Sequence, residues 1–146
     1  MTNPDAQRLS RDEVLLTAAF LIALAATLGA LFIGEVLGQL PCTLCWYQRI
    51  AMFPLVPVLG LSLWRGDGMA RVYGLPLAAI GLLIAGWHAG LYAGWIQQAI
   101  APCTKDGPSC TDRGAQTILS LPIPYLSLVA FAAILACLIL PKGNRT

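Results

Sequence analysis

Four apolar stretches, separated by short polar or turn-rich segments, organise the chain. They run near 14–38, 46–63, 72–95 and 122–140, and each approaches the roughly 20 residues that a helix needs to cross a hydrocarbon core. Sustained alternation of polar and apolar positions, the mark of barrel strands, is missing. A helix therefore remains as the backbone that satisfies its own N–H and C=O groups in lipid. The pattern predicts an all-α membrane protein, a bundle of four transmembrane helices that forms a single integral domain over 1–146. Pro54 and Pro57 interrupt the second stretch, but a membrane helix absorbs such residues by kinking against its neighbours. The first stretch exceeds the core of a secretory signal and lacks a convincing cleavage site, so it reads as a retained span.

Composition sharpens this picture. Hydrophobic residues make up 58% and charged residues 11% of the chain, far from the balance of a soluble domain. The net charge of +2 is spread thinly, with no basic cluster to follow a phosphate backbone, so nucleic acid is excluded as a partner. The cations do orient the bundle, because Lys and Arg are retained on the cytoplasmic side. Arg8, Arg11, Arg65, Arg71, Lys142 and Arg145 fall on one side, whereas Arg49, Lys105 and Arg113 fall on the other. Both termini and the 64–71 connection are expected in the cytoplasm, with loops 39–45 and 96–121 facing outward.

That orientation places Cys42, Cys45, Cys103 and Cys110 on the outer side, where disulfides form and persist. Cys137, in the last span, reads as a small buried hydrophobe without a chemical role. A C-x-x-C unit such as Cys42-Thr43-Leu44-Cys45 serves as metal clip, staple or redox couple. Thiolate–metal binding competes with disulfide formation in an oxidising compartment, and the chain has one histidine, so redox chemistry is favoured and no metal site is expected.

Cys45 stands just before the second helix, where unpaired amides and the macrodipole favour a negative sulfur. Arg49 follows four residues later on the same face, and its side chain leans back toward that sulfur or an anion beside it. An arginine there runs against the prevailing charge bias, and an electron-accepting carbonyl would suit it. Cys103 and Cys110 share a loop with Pro102, Gly107 and Pro108, turn formers that let the pair close a small ring with a readily exchanged disulfide. Two redox pairs on one face suggest a relay from a soluble thiol protein to an acceptor in the membrane.

The run Pro41-Cys42-Thr43-Leu44-Cys45-Trp46-Tyr47-Gln48-Arg49-Ile50, with four spans and a second outward pair, resembles the DsbB family of disulfide bond formation proteins. The short Cys103 to Cys110 spacing, Gly34-Glu35-Val36-Leu37 and Ile123-Pro124-Tyr125-Leu126-Ser127-Leu128 are most similar to its compact BdbC-like branch. The resemblance implies a thiol:quinone oxidoreductase of the bacterial cytoplasmic (inner) membrane. It would reoxidise a DsbA-like thioredoxin-fold thiol oxidase and pass electrons through two cysteine pairs to ubiquinone or menaquinone. By the same resemblance Cys45 contacts the quinone, Cys42 is its disulfide partner, and Arg49 is the quinone-side arginine. Cys103 would form the mixed disulfide with the oxidase, with Cys110 as its resolving partner. His88, within Gly86-Trp87-His88-Ala89-Gly90, is similar to a family histidine near the quinone and is expected to bind that cofactor.

Glu35 shares a helix face with Cys42 but is assigned no role. Trp46, Trp87 and Trp95 read as an interfacial belt. Two other classes compete with the enzyme. A small metal-ion transporter would carry a thiol pair within the membrane path, which this chain lacks, and a structural subunit stapled by disulfides would tolerate loss of Cys103.

Overall fold

Proline and glycine set the limits of the helices. The computed structural model describes residues 4–97, 108–111, 114, 117–118 and 120–140. Helix α1 spans Pro4–Leu31 and runs on into a π turn over Phe32–Val36. Helix α2 covers Thr43–Arg65 and contains both Pro54 and Pro57. A second π turn, Ala70–Gly74, leads into α3, Leu75–Ala93. A two-stranded antiparallel hairpin follows, β1 Thr117–Ile118 on β2 Leu121–Pro122, with Thr117 opposite Pro122. It feeds α4, Ile123–Ile139, whose Pro124 occupies the first turn, where a missing N–H costs nothing. Gly66 and Gly94 end α2 and α3 at φ of 65° and 81°, the left-handed region that glycine enters without strain.

Three apolar helical segments, Arg11–Val36, Thr43–Arg65 and Ala70–Ala93, are long enough to cross a membrane, and Ile123–Ile139 is a shorter apolar helix. The four-helix membrane bundle expected from the hydrophobic pattern is therefore the fold. Its boundaries differ in one respect that matters for chemistry: α2 begins at Thr43 rather than near 46, because Cys42 caps it.

Association in lipid gains little from apolar burial, so it relies on close packing at small residues. Ala19, Ala23, Ala78 and Ala85 are fully buried at the helix contacts, around a core of Leu55, Leu59, Phe131 and Ile134. Gly81 lets α3 approach α4 so closely that a methyl group there would overlap the Phe131 ring. Val14, Leu21, Leu83 and Val129 point outward, as lipid-facing side chains do. Cys137 packs against the core, as a small hydrophobe.

At the end opposite the C-x-x-C unit, buried Ser62 accepts the Ala70 N–H at 2.8 Å and donates to Asp67. Asp67 in turn accepts the Met69 N–H at 3.1 Å, so the α2–α3 connection is internally satisfied.

Candidate active site

Cys42 adopts extended backbone, φ −71° and ψ 170°, and its sulfur receives the Cys45 N–H at 3.4 Å. It is thus the N-cap of α2. The first helical turn brings Cys45 back over it, and the Cys42 thiol donates to Cys45 Sγ at 3.1 Å. Cys110, from the loop between α3 and α4, settles on the same helix start. Its sulfur meets the amide N–H groups of Leu44 and Thr43 and hydrogen-bonds to Cys42. The first-turn amides that the sequence directs toward Cys45 are thereby taken up by Cys42 and Cys110. Both of those sulfurs are buried.

Crowding of thiols sets their acidity. The hydrogen bond from Cys110 pulls the Cys42 pKa down, but the bond that Cys42 gives to Cys45, together with burial, outweighs it and pushes the value up to about 11. Cys110 is held well above the ordinary thiol range, first by the hydrogen bond it donates to Cys42 and then by burial, against the opposing pull of the Leu44 and Thr43 amides. In the all-thiol form both sulfurs keep their protons at neutral pH.

His88, fully buried in α3, points at this group: Nε2 lies 3.8 Å from Cys42 Sγ. Its Nδ1 is 3.0 Å from the side-chain nitrogen of buried Gln48. Gln48 joins the histidine to α2, three residues beyond Cys45.

On the other side of the C-x-x-C unit lies an apolar cavity of about 470 Å³ between α1, α2 and α4. Cys42, Cys45, Gln48 and Arg49 line it together with Gln39 and Ser127, and the remaining wall is almost wholly apolar. Arg49 Nη2 donates to the Ala30 carbonyl at 2.8 Å, where α1 gives way to its π turn. The guanidinium also lies over the Trp46 ring, 5.5 Å from its centroid. Gly34 in that π turn makes room for it, since a Cβ there would stand 3.3 Å from both Nη atoms. Glu35 in the same turn is exposed.

Cys42, Cys45, Cys110, Arg49 and His88 therefore gather at one end of the bundle. Cys42, Cys45 and Arg49 share the cavity, whereas His88 stands against Cys42 and is not among the residues lining it. Cys103 lies outside the described residues. Sequence reasoning passed over Gln48 and Gln39. Gln48 had a signal, being an uncharged polar side chain inside an apolar span one turn from Cys45. Gln39 had none, because the direction of its side chain depends on how the 37–42 connection folds.

A family model described as "Disulfide bond formation protein DsbB" matches residues 12–141. The chain belongs to the DsbB family. Among DsbB relatives, a "Probable disulfide formation protein" of Metapseudomonas resinovorans is 46% identical over 144 residues, covering 99% of each chain. "Disulfide bond formation protein C" of Bacillus subtilis is 37% identical over 139 residues, 91% of this chain and 96% of that one. A "Probable disulfide formation protein" of Deinococcus radiodurans is 42% identical over 145 residues, 94% of each. These near full-length matches agree with the compact branch. No solved structure matches the chain. Membership of the DsbB family, together with the apolar helices, makes this a membrane protein of disulfide-bond formation with oxidoreductase activity.

Proposed function

We propose that the protein is a thiol:quinone oxidoreductase that reoxidises a DsbA-like thioredoxin-fold thiol oxidase. It works as one membrane domain of the bacterial cytoplasmic (inner) membrane, with cytoplasmic termini and its sulfurs toward the periplasm or cell exterior. The observation that carries this reading is the position of Cys42, which touches Cys110 of the outer loop on one side and Cys45 at the cavity wall on the other.

The relay begins when the partner's thiolate opens the Cys103–Cys110 disulfide at Cys103 and releases Cys110 as a thiolate. That sulfur, beside the Leu44 and Thr43 amides, attacks Cys42 Sγ of the Cys42–Cys45 disulfide. The Cys42–Cys45 bond breaks, a Cys42–Cys110 bond forms, and Cys45 leaves as a thiolate at the cavity wall. No proton or electron is lost in the exchange.

The cavity suits a quinone. Its volume of about 470 Å³ falls within the range of small-molecule sites, and its walls are apolar with a few polar groups. Arg49 offers a guanidinium donor to a ring carbonyl. Gln39 Oε1, buried and without a hydrogen-bond partner among the described residues, suits the hydroxyl of the reduced ring. A quinone held there would supply the two-electron acceptor.

The test mixes purified protein, a reduced thioredoxin-fold oxidase and a quinone, and follows quinone absorbance. Wild type should bleach the quinone in step with oxidation of the partner, and Cys45→Ser should abolish bleaching. Undiminished bleaching by that variant, or none by wild type with either ubiquinone or menaquinone, would refute the reading.

A further inference from the structure

The sequence argues against a metal clip because the chain has a single histidine. The fold brings that histidine to the sulfurs. One ligand atom each from Cys42, His88 and Cys110 lies within 4.8 Å of the others, and all three residues are buried. They come from three separate places: the cap of α2, the interior of α3 and the outer loop. Cys45 Sγ, 3.1 Å from Cys42 Sγ on the cavity side, stands outside that group of three and is the nearest sulfur that could join it.

Three thiols and one imidazole form a ligand set of structural zinc sites. Zn–S bonds near 2.3 Å and Zn–N bonds near 2.0 Å place such tetrahedral ligands roughly 3.5–3.8 Å apart. Cys42 Sγ to His88 Nε2, at 3.8 Å, already matches that span, Cys110 Sγ stands within 4.8 Å of both, and Cys45 Sγ must swing in from beside Cys42 to close the tetrahedron. We propose that in the fully reduced protein Cys42, Cys110 and His88, completed by Cys45, bind one thiophilic d10 dication of the zinc class.

The surroundings favour such an ion. A ligating imidazole needs its other nitrogen fixed, and Gln48 stands 3.0 Å from Nδ1. With its amide turned to present Oε1, Gln48 accepts the Nδ1 proton and leaves the Nε2 lone pair facing the sulfurs. Coordination replaces the protons of the crowded thiols: each sulfur that binds releases H⁺ and no electron moves. Three thiolates around a dication leave one negative charge, and the Arg49 guanidinium lines the cavity beside Cys42 and Cys45 to offset it. A disulfide at any of these cysteines removes donors, so the site exists only when the sulfurs are reduced. The bound ion would hold them so, a consequence that rests on the relay proposed above; the binding itself does not.

The experiment uses the purified full-length protein and needs neither quinone nor partner. The protein is reduced, freed of reductant without air, and titrated with Co²⁺ and then with Zn²⁺ against a chromophoric chelator. The reduced protein should take up one ion per chain. Its Co²⁺ form should show sulfur-to-metal charge transfer and the intense visible bands of a tetrahedral site. The same protein with its disulfides formed should bind none, a comparison that requires no substitution. Cys110→Ser and His88→Gln should each weaken Zn²⁺ binding by more than about tenfold, at least the loss typical of an outer-shell change, whereas Cys137→Ser should leave it unaltered. Absence of uptake by the reduced protein, equal uptake by the oxidised one, or full affinity in both Cys110→Ser and His88→Gln would overturn the site.

Discussion

At the level of single residues, Cys42 is the most constrained side chain. Its sulfur accepts the Cys45 amide, donates to Cys45 Sγ, receives Cys110 and faces His88. A thiol held at about 11 is more protonated when folded than when unfolded. Its contribution to the stability of the reduced protein is therefore complete below the ordinary thiol pKa and is lost as pH rises through about 11. Alkylation of Cys42 in the reduced protein, read by mass spectrometry across pH, should rise with a midpoint near 11. Cys110→Ala removes the hydrogen bond that lowers this value and should move the midpoint further up. A midpoint at the ordinary thiol value in both proteins would contradict the crowding. That Cys42, Cys45 and Arg49 belong together was legible because motif spacing and charge placement mark them. The Gln48–His88 pair was not, because it joins residues on different helices and no local pattern encodes which face of α3 meets α2.

Among the elements, the helices were the most legible part of the fold, since apolar runs of membrane length admit few other structures. Their fine structure was less so. The start of α2 at Thr43 depends on a cysteine serving as cap, a role more often taken by Ser, Thr, Asp or Asn. The π turn at 32–36 sits where Arg49 reaches across to Ala30 and Gly34, contacts formed only when α1 and α2 meet. Such turns recur at functional sites. Packing between α3 and α4 turns on the Gly81 and Phe131 pair. Gly81→Ala should destabilise the bundle by about 2 kcal/mol or more through overpacking, measured as a lower unfolding midpoint in detergent. Phe131→Leu in the same chain should restore part of the loss, and failure to do so would place the strain elsewhere.

For the whole molecule, the sulfur cluster occupies one end of the bundle and the Ser62–Asp67 network the other. In spheroplasts carrying single-cysteine variants, a membrane-impermeant maleimide should label a cysteine at position 103 before lysis and Ser10→Cys only after it. The reverse order would invert the proposed topology. Charge counting along the chain is the basis of that proposed orientation, and it could not foretell the meeting of Cys110 with Cys42. That contact depends on the return of the α3–α4 loop to the start of α2, and the sequence marks only the turn formers within it.

In the proposed relay, the sulfur that trades partners is also an atom on which the first turn of α2 rests. A thiolate, a thiol and a disulfide accept an amide proton with different strengths, so a change of bonding at Cys42 would act directly on the contact that caps this membrane-crossing rod. The Trp46 amide, bonded to the Cys42 carbonyl at 3.1 Å, would keep the helix start in place while that contact loosens or tightens.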